Sequence, residues 1–144
     1  MRVQADPRYC LGCKRCEVFC AANHDGYQGK VLVAFKRGLP LSRSLVVGDD
    51  QEWWLNTCAH CTDAPCVKAC ISGALCTDER GVVYLEEDKC VGCYTCTIAC
   101  PWGHIRPHPQ GLRVVKCDLC RERGGEPACI EQCPNGALRL VEGE

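Results

Sequence analysis

The sequence has few of the large side chains from which a small domain builds its core. Its 144 residues include only two Phe, three Trp and four Tyr, so aromatic packing contributes little. Small chains with too few large apolar groups depend on disulfides or metals for stability. The 17 cysteines therefore indicate that covalent or metal crosslinks supplement the core.

Long apolar runs and a strong net charge are also missing. No run of about 18 apolar residues occurs, so we expect no direct membrane span. A formal net charge of −1 gives no electrostatic basis for binding nucleic acid. The N-terminal stretch MRVQADPRYC lacks the apolar core of a secretion signal. We therefore expect a cytoplasmic protein, in which thiols bind metal rather than form disulfides.

Sixteen of the cysteines form four groups of four, and Cys76 stands apart from them. The first and third quartets have the compact spacing C-x2-C-x2-C-x3-C, within CLGCKRCEVFCAANH and CVGCYTCTIACPWGH. The second and fourth have a split spacing, within CAHCTDAPCVKACISGAL and CDLCRERGGEPACIEQCPNGAL. The quartets are Cys10, Cys13, Cys16 and Cys20; Cys58, Cys61, Cys66 and Cys70; Cys90, Cys93, Cys96 and Cys100; and Cys117, Cys120, Cys129 and Cys133. This repetition indicates an internal duplication.

The compact spacing distinguishes between possible cofactors. A structural zinc site usually joins two separated C-x2-C hooks around one tetrahedral ion. A run of C-x2-C-x2-C instead wraps three corners of a cubane, and the fourth cysteine of this bacterial pattern ligates the other cluster of a two-cluster ferredoxin. The spacing therefore predicts 4Fe-4S clusters rather than zinc or disulfides.

Each two-cluster unit needs two quartets. The segment 71–89, between the second and third quartets, has a strand-turn-strand pattern that closes a compact unit, with Cys76 as a packed thiol in it. By elimination, the first and fourth quartets pair with each other. The rival pairing, first with second and third with fourth, also respects the repeat. A further hairpin is expected in KVLVAFKRGLPLSRSLVVG, residues 30–48.

These patterns predict an α+β fold. We expect two bacterial-ferredoxin-like units, in which small strands and short helices surround four 4Fe-4S clusters. The outer unit would comprise residues 1–49 and 107–144, with the first and fourth quartets. The inner unit would comprise residues 50–106, with the second and third quartets.

The four quartets in this order, with APC in the second and KCDLC opening the fourth, resemble a known family. It contains the four-cluster iron-sulfur subunits of the dimethyl sulfoxide reductase, formate dehydrogenase, hydrogenase and carbon monoxide dehydrogenase systems. Small subunits of tungsten aldehyde oxidoreductases are similar. The resemblance implies four ligand sets: Cys10, Cys13, Cys16 and Cys133; Cys117, Cys120, Cys129 and Cys20; Cys58, Cys61, Cys66 and Cys100; and Cys90, Cys93, Cys96 and Cys70.

The sequence contains no dinucleotide fingerprint, P-loop or nucleophile elbow, and complete quartets leave no iron open to a substrate. We expect an electron-transfer component without its own substrate site. It would pass single electrons between a catalytic oxidoreductase subunit and another redox carrier, within a hetero-oligomer. A tungsten or molybdenum aldehyde or formate oxidoreductase is the preferred partner. Carbon monoxide dehydrogenase, hydrogenase and a free diffusible polyferredoxin are the alternatives.

Overall fold

The protein is built from short helices and two-stranded sheets. The computed structural model describes residues 1–24, 26–38 and 41–142. The helices are α1 Arg15–Ala22, α2 Val31–Lys36, α3 Pro65–Lys68, α4 Thr95–Ala99 and α5 Ala128–Glu131, with 3-10 turns at Glu87–Lys89 and Arg121–Arg123. The strands are β1 Arg2–Ala5, β2 Leu45–Gly48, β3 Trp53–Asn56, β4 Leu75–Thr77, β5 Val83–Leu85, β6 Arg106–Pro107, β7 Val114–Val115 and β8 Leu138–Val141.

The strands pair as β1 with β8, β2 with β3, β4 with β5, and β6 with β7. The last three pairs are antiparallel. The combination of short helices and small antiparallel sheets makes this an α+β fold. No helix in the part of the chain that the structure describes has the length and apolarity needed to cross a bilayer.

Two units of the chain are separately compact. One, the middle unit, contains residues 58–118 together with residues 1–2 and 142. The other, the terminal unit, contains residues 3–57 and 119–141. The division expected from the sequence, with two clusters in each unit, stays a prediction. Its outer unit also includes residues 25, 39, 40, 143 and 144, which lie outside the described residues.

The middle unit packs its helices and hairpins around an apolar core. Its buried residues come from α3, α4, strands β4, β5 and β7, and the loops beside them: Ala64, Cys66, Leu75, Val83, Cys96, Ile105 and Val114. Proline at the first position of α3 suits a helix start, because its fixed φ is already helical. The core thus includes ligand candidates as well as ordinary apolar side chains.

The hairpin expected between the second and third quartets is confirmed. Strands β4 and β5 are antiparallel, with Leu75 opposite Leu85. The Asp78 carboxylate accepts the backbone N–H of Arg80 at 2.9 Å and that of Val82 at 2.8 Å. These bonds satisfy the donors of the turn and fix the position of β5.

In the terminal unit, the hairpin expected over residues 30–48 is wrong. Residues Val31–Lys36 form α2, and β2 pairs with β3 rather than with the apolar run before it. Helix α2 packs against α1 and buries Ala34, while Leu32 and Phe35 are exposed. Ala34 is the only buried residue of α2, so the segment does not show the alternating burial of a strand. The expected turn at residues 39 and 40 lies outside the described residues.

Candidate iron-sulfur sites

One pocket of the terminal unit is lined by cysteines from both ends of the chain. It encloses about 390 Å³, part of it open to solvent, and its apolar walls include residues of β2, β3 and β8. The loop before α1, the first turn of α1 and the turn after α5 bring four cysteines to it: Cys10, Cys13, Cys16 and Cys133. Burial raises the pKa of the Cys16 thiol to about 12.

A second pocket, in the middle unit, has the same construction. It spans about 320 Å³, part of it open to solvent, and is walled by apolar residues that include Val83 of β5. Its four cysteines are Cys58, Cys61, Cys66 and Cys100. Burial raises the pKa of the Cys66 thiol; the nearby charges of Cys58 and Cys100 raise it as well, whereas Lys116 lowers it.

A third group of cysteines interacts in the middle unit around α4. Burial raises the pKa of the Cys96 thiol to about 11, and the negative charges of Cys70, Cys90 and Cys93 raise it further. Thiols that resist ionisation alone are stabilised as thiolates once a cationic centre binds. The structure therefore brings the members of three expected ligand sets together, and their use as cluster ligands stays a prediction.

The remaining set is Cys20, Cys117, Cys120 and Cys129, and all four are buried. Helix α1, which carries Cys20, packs against α5, which carries Cys129. Burial acts to raise the pKa of the Cys20 thiol, but hydrogen bonds from His24 and from the Arg43 N–H lower it. His24 Nδ1 is also 2.6 Å from the Cys20 carbonyl oxygen, so it caps the end of α1. The joint use of this set as ligands stays a prediction.

The loop that opens each quartet turns through the same left-handed backbone conformation. The residue before the second cysteine has φ +63° at Gly12, +66° at Gly92, +48° at His60 and +55° at Leu119. A Cβ on Gly12 would lie 2.5 Å from the ring of Trp53, and one on Gly92 would lie 2.7 Å from the Leu112 carbonyl oxygen. The compact quartets therefore need glycine at this position for space as well as for conformation.

His60 is a buried residue of the second pocket's loop that the sequence analysis did not single out. Its Nδ1 accepts the backbone N–H of Val83 at 3.0 Å. Its Nε2 is buried and has no hydrogen-bond partner among the described residues. Burial, and then the charge of Lys116, lower the pKa of His60 to about 3. In the sequence, His60 is distinguished only by its position, where the compact quartets have glycine.

Lys116, which precedes the fourth quartet, is a second buried residue of this region that the sequence did not indicate. The residue is 1 % exposed, although lysine is rarely buried. Its Nζ donates to the carbonyl oxygens of Val83 and, at 2.6 Å, of Cys117. These acceptors belong to a strand and a loop that are distant in sequence, so no local pattern reveals the contact.

The donor sets fit iron-sulfur clusters. Cysteine thiolates in fours are the ligands of the 4Fe-4S cubane, and two pockets each present four cysteines to one enclosed space. No disulfide joins any of the 17 cysteines, all of which are described. Within the described ranges, no group of three or more His, Cys, Asp and Glu side chains has the geometry for a single metal ion.

A family model described as a 4Fe-4S dicluster domain matches residues 51–143, more than half of the chain. The chain belongs to this 4Fe-4S dicluster family. The expected resemblance to ferredoxin-like electron-transfer subunits is thereby confirmed, and the protein is an iron-sulfur protein of the 4Fe-4S type. The match takes in the second, third and fourth quartets.

Several relatives extend the similarity to the first quartet. YsaA of Escherichia coli K12 is 36 % identical over 142 residues, which are 97 % of this chain and 88 % of YsaA. The electron transport protein HydN of the same strain is 36 % identical over 153 residues, with 96 % of this chain and 86 % of HydN covered. The formate dehydrogenase iron-sulfur subunit of Haemophilus influenzae is 36 % identical, and this chain spans 49 % of its length.

Proposed function

We propose that the protein is a non-catalytic electron-transfer subunit that carries four 4Fe-4S clusters in two cross-ligated pairs. One observation carries the proposal. Each of two pockets combines three cysteines of one quartet with the last cysteine of another, Cys133 in the first and Cys100 in the second. This exchange of the last cysteine is how two-cluster ferredoxins connect their clusters.

The pocket residues also favour one pairing of the quartets over its rival. Pairing the first quartet with the second would put Cys70 beside Cys10, whereas Cys133 lines that pocket. Cys70 instead interacts with Cys96 of the third quartet. The proposed ligand sets are Cys10, Cys13, Cys16 and Cys133; Cys117, Cys120, Cys129 and Cys20; Cys58, Cys61, Cys66 and Cys100; and Cys90, Cys93, Cys96 and Cys70.

In electron transfer, the role of the chain is to hold the clusters and to insulate them. Each cluster, when bound, supplies a site that takes up and releases one electron. Cys96 lies in α4 and Cys100 follows its end, a rise of about 6 Å along a helix. Two clusters held at these positions would lie on the order of 10 Å apart, near enough for tunnelling. Buried apolar residues such as Ile105 form part of the wall of the second pocket.

The partners proposed are a catalytic oxidoreductase subunit and a further redox carrier, in a hetero-oligomer located in the cytoplasm. We favour a tungsten or molybdenum aldehyde or formate oxidoreductase, and the formate dehydrogenase subunit among the relatives supports the formate case. Carbon monoxide dehydrogenase and hydrogenase are the alternatives. Trp54 and Trp102 are exposed and are the kind of side chain that protein interfaces bury.

A free polyferredoxin is the second candidate function. It is favoured by the similarity to HydN over 86 % of that protein, since HydN is named as an electron transport protein rather than as an enzyme subunit. Both candidates require the same clusters and differ only in whether the protein works within a complex.

Two measurements test the proposal. Protein purified without oxygen is expected to contain about 16 iron and 16 acid-labile sulfide per chain, four of each per cubane. Zinc without sulfide would refute it. Size-exclusion chromatography of native extract is expected to place the iron-sulfur signal above the monomer size. A signal at the monomer size alone would refute the subunit role and support the free carrier.

A further inference from the structure

The repeat places different side chains on the same left-handed backbone position. The two compact quartets have glycine there, whereas the two split quartets have His60 and Leu119. Both side chains are buried, at 4 % and 2 % exposure. The side chain of Leu119 is apolar, so its burial leaves no side-chain polar atom without a hydrogen-bond partner. His60 occupies the equivalent place with two polar nitrogens, which must both be satisfied or cost stability.

One nitrogen of His60 is satisfied and the other is not. Because Nδ1 accepts the Val83 N–H, it carries no proton, and the proton of the neutral ring is on Nε2. This N–H is buried and has no acceptor among the described residues. A buried donor without an acceptor is rare in native proteins and points to a group that completes the site.

The ring is held firmly in this orientation. Both backbone polar groups of Val83 are hydrogen-bonded, since its N–H donates to His60 Nδ1 and its C=O accepts from the Lys116 ammonium. Val83 is itself 1 % exposed and belongs to β5. The imidazole therefore cannot turn its free N–H elsewhere without breaking a buried bond.

One candidate sulfur atom lies next to His60. The backbone N–H of His60 donates to the sulfur of Cys58 at 3.4 Å. The charges of Lys116 and Asp118, which flank Cys117, act on the imidazole. His60 therefore lies beside Cys58, a cysteine of one proposed ligand set in the middle unit.

We propose that His60 Nε2–H donates a hydrogen bond to a sulfur of a bound cluster and raises that cluster's reduction potential. The inference rests on the proposed function and makes His60 a positioning residue. Hydrogen bonds to the sulfurs help to set the potential of such clusters, and a donor favours the more negative, reduced form. The acceptor proposed is a sulfur of the cluster held by Cys58, Cys61 and Cys66, since the Cys58 sulfur is next to His60.

Two variants separate this role from a structural one. His60→Leu removes both nitrogens and has a precedent in Leu119. His60→Asn keeps an acceptor near the place of Nδ1 for the Val83 N–H, tolerates a left-handed backbone, and is too short to replace Nε2. His108→Asn is the matched control, because His108 is a partly exposed histidine of the same unit that lines neither pocket.

The measurements are iron and sulfide content, potentiometric titration followed by EPR, and nitrogen hyperfine coupling in protein labelled with ¹⁵N-histidine. The wild type and His108→Asn are expected to show a histidine nitrogen coupled to one reduced cluster. Both His60 variants are expected to lose it. Their affected cluster should be about tenfold less reduced at a fixed potential, a one-electron shift of about 59 mV.

Other outcomes overturn the inference. Unchanged potentials in both variants at full iron content would refute it, as would recovery of the wild-type potential in His60→Asn. The coupled signal is expected to change in Cys61→Ser, and a coupled signal left unchanged in that variant would refute the assignment to this cluster. Low iron and sulfide in the wild type would refute the four-cluster function itself, so the two failures are distinguishable.

Discussion

Cys133 lines the same pocket as Cys10, although these residues lie near opposite ends of the chain. The backbone around them is joined as well. The Asp6 N–H donates to the Ala137 carbonyl at 2.8 Å, and the Asn135 side-chain amide donates to the Tyr9 carbonyl at 3.2 Å. A cluster at this position would therefore crosslink two segments that the fold already holds together.

Cys133→Ser is expected to disturb the cluster held by Cys10, Cys13 and Cys16, because it removes the fourth thiolate of that pocket. Iron and sulfide should fall by about one quarter, and one EPR signal should be lost or converted. Cys76→Ser is the control, since Cys76 lies in β4 outside both cysteine pockets and should keep all four clusters. Loss of the Cys117 cluster alone would show that the quartets are paired differently.

Gly92→Ala is expected to destabilise the protein more than Gly103→Ala. Both glycines have a similar left-handed φ, +66° and +65°, so the conformational cost of alanine is shared. A Cβ at position 92 would lie 2.7 Å from the Leu112 carbonyl oxygen, whereas nothing lies within 4 Å at position 103. The clash should cost Gly92→Ala about 1–3 kcal/mol more in the free energy of unfolding. Anaerobic denaturant titration measures this difference, and equal losses would contradict it.

The cofactor type and one hairpin could be predicted from the sequence, because both depend on local spacing. Cysteine spacing reflects the shape of the bound cluster, and the strand pattern at Val83–Leu85 follows from β-forming residues beside a turn. The apolar run at Val31–Lys36 was misinterpreted, because its burial depends on packing against α1. A short apolar run does not by itself distinguish strand from helix.

His60 and Lys116 could not be predicted for a different reason. Both depend on Val83, which is distant from each of them in sequence and binds both through its backbone. Backbone hydrogen bonds of this kind leave no trace in residue spacing. Only the comparison of His60 with Gly12 and Gly92, its counterparts in the repeat, marks the position as unusual.

Lys116→Met is expected to lower both the stability of the protein and the potential of the cluster at Cys66. The substitution leaves the carbonyls of Val83 and Cys117 without this buried donor, at a cost of about 1–3 kcal/mol in the free energy of unfolding. It also removes a positive charge that favours the Cys66 thiolate and would favour the reduced cluster. Denaturant titration and EPR-monitored redox titration measure the two effects.

Lys68→Met is the matched control, because it removes the same charge from α3 of the same unit. The Lys68 side chain is 67 % exposed and pairs with Asp63, which is 80 % exposed, so solvent screens it. Its potential shift should be small and should vanish at high salt, whereas the shift in Lys116→Met should persist because a buried charge is poorly screened. Equal shifts in the two variants, or a Lys116→Met shift abolished by salt, would show that Lys116 acts only as part of the general surface field.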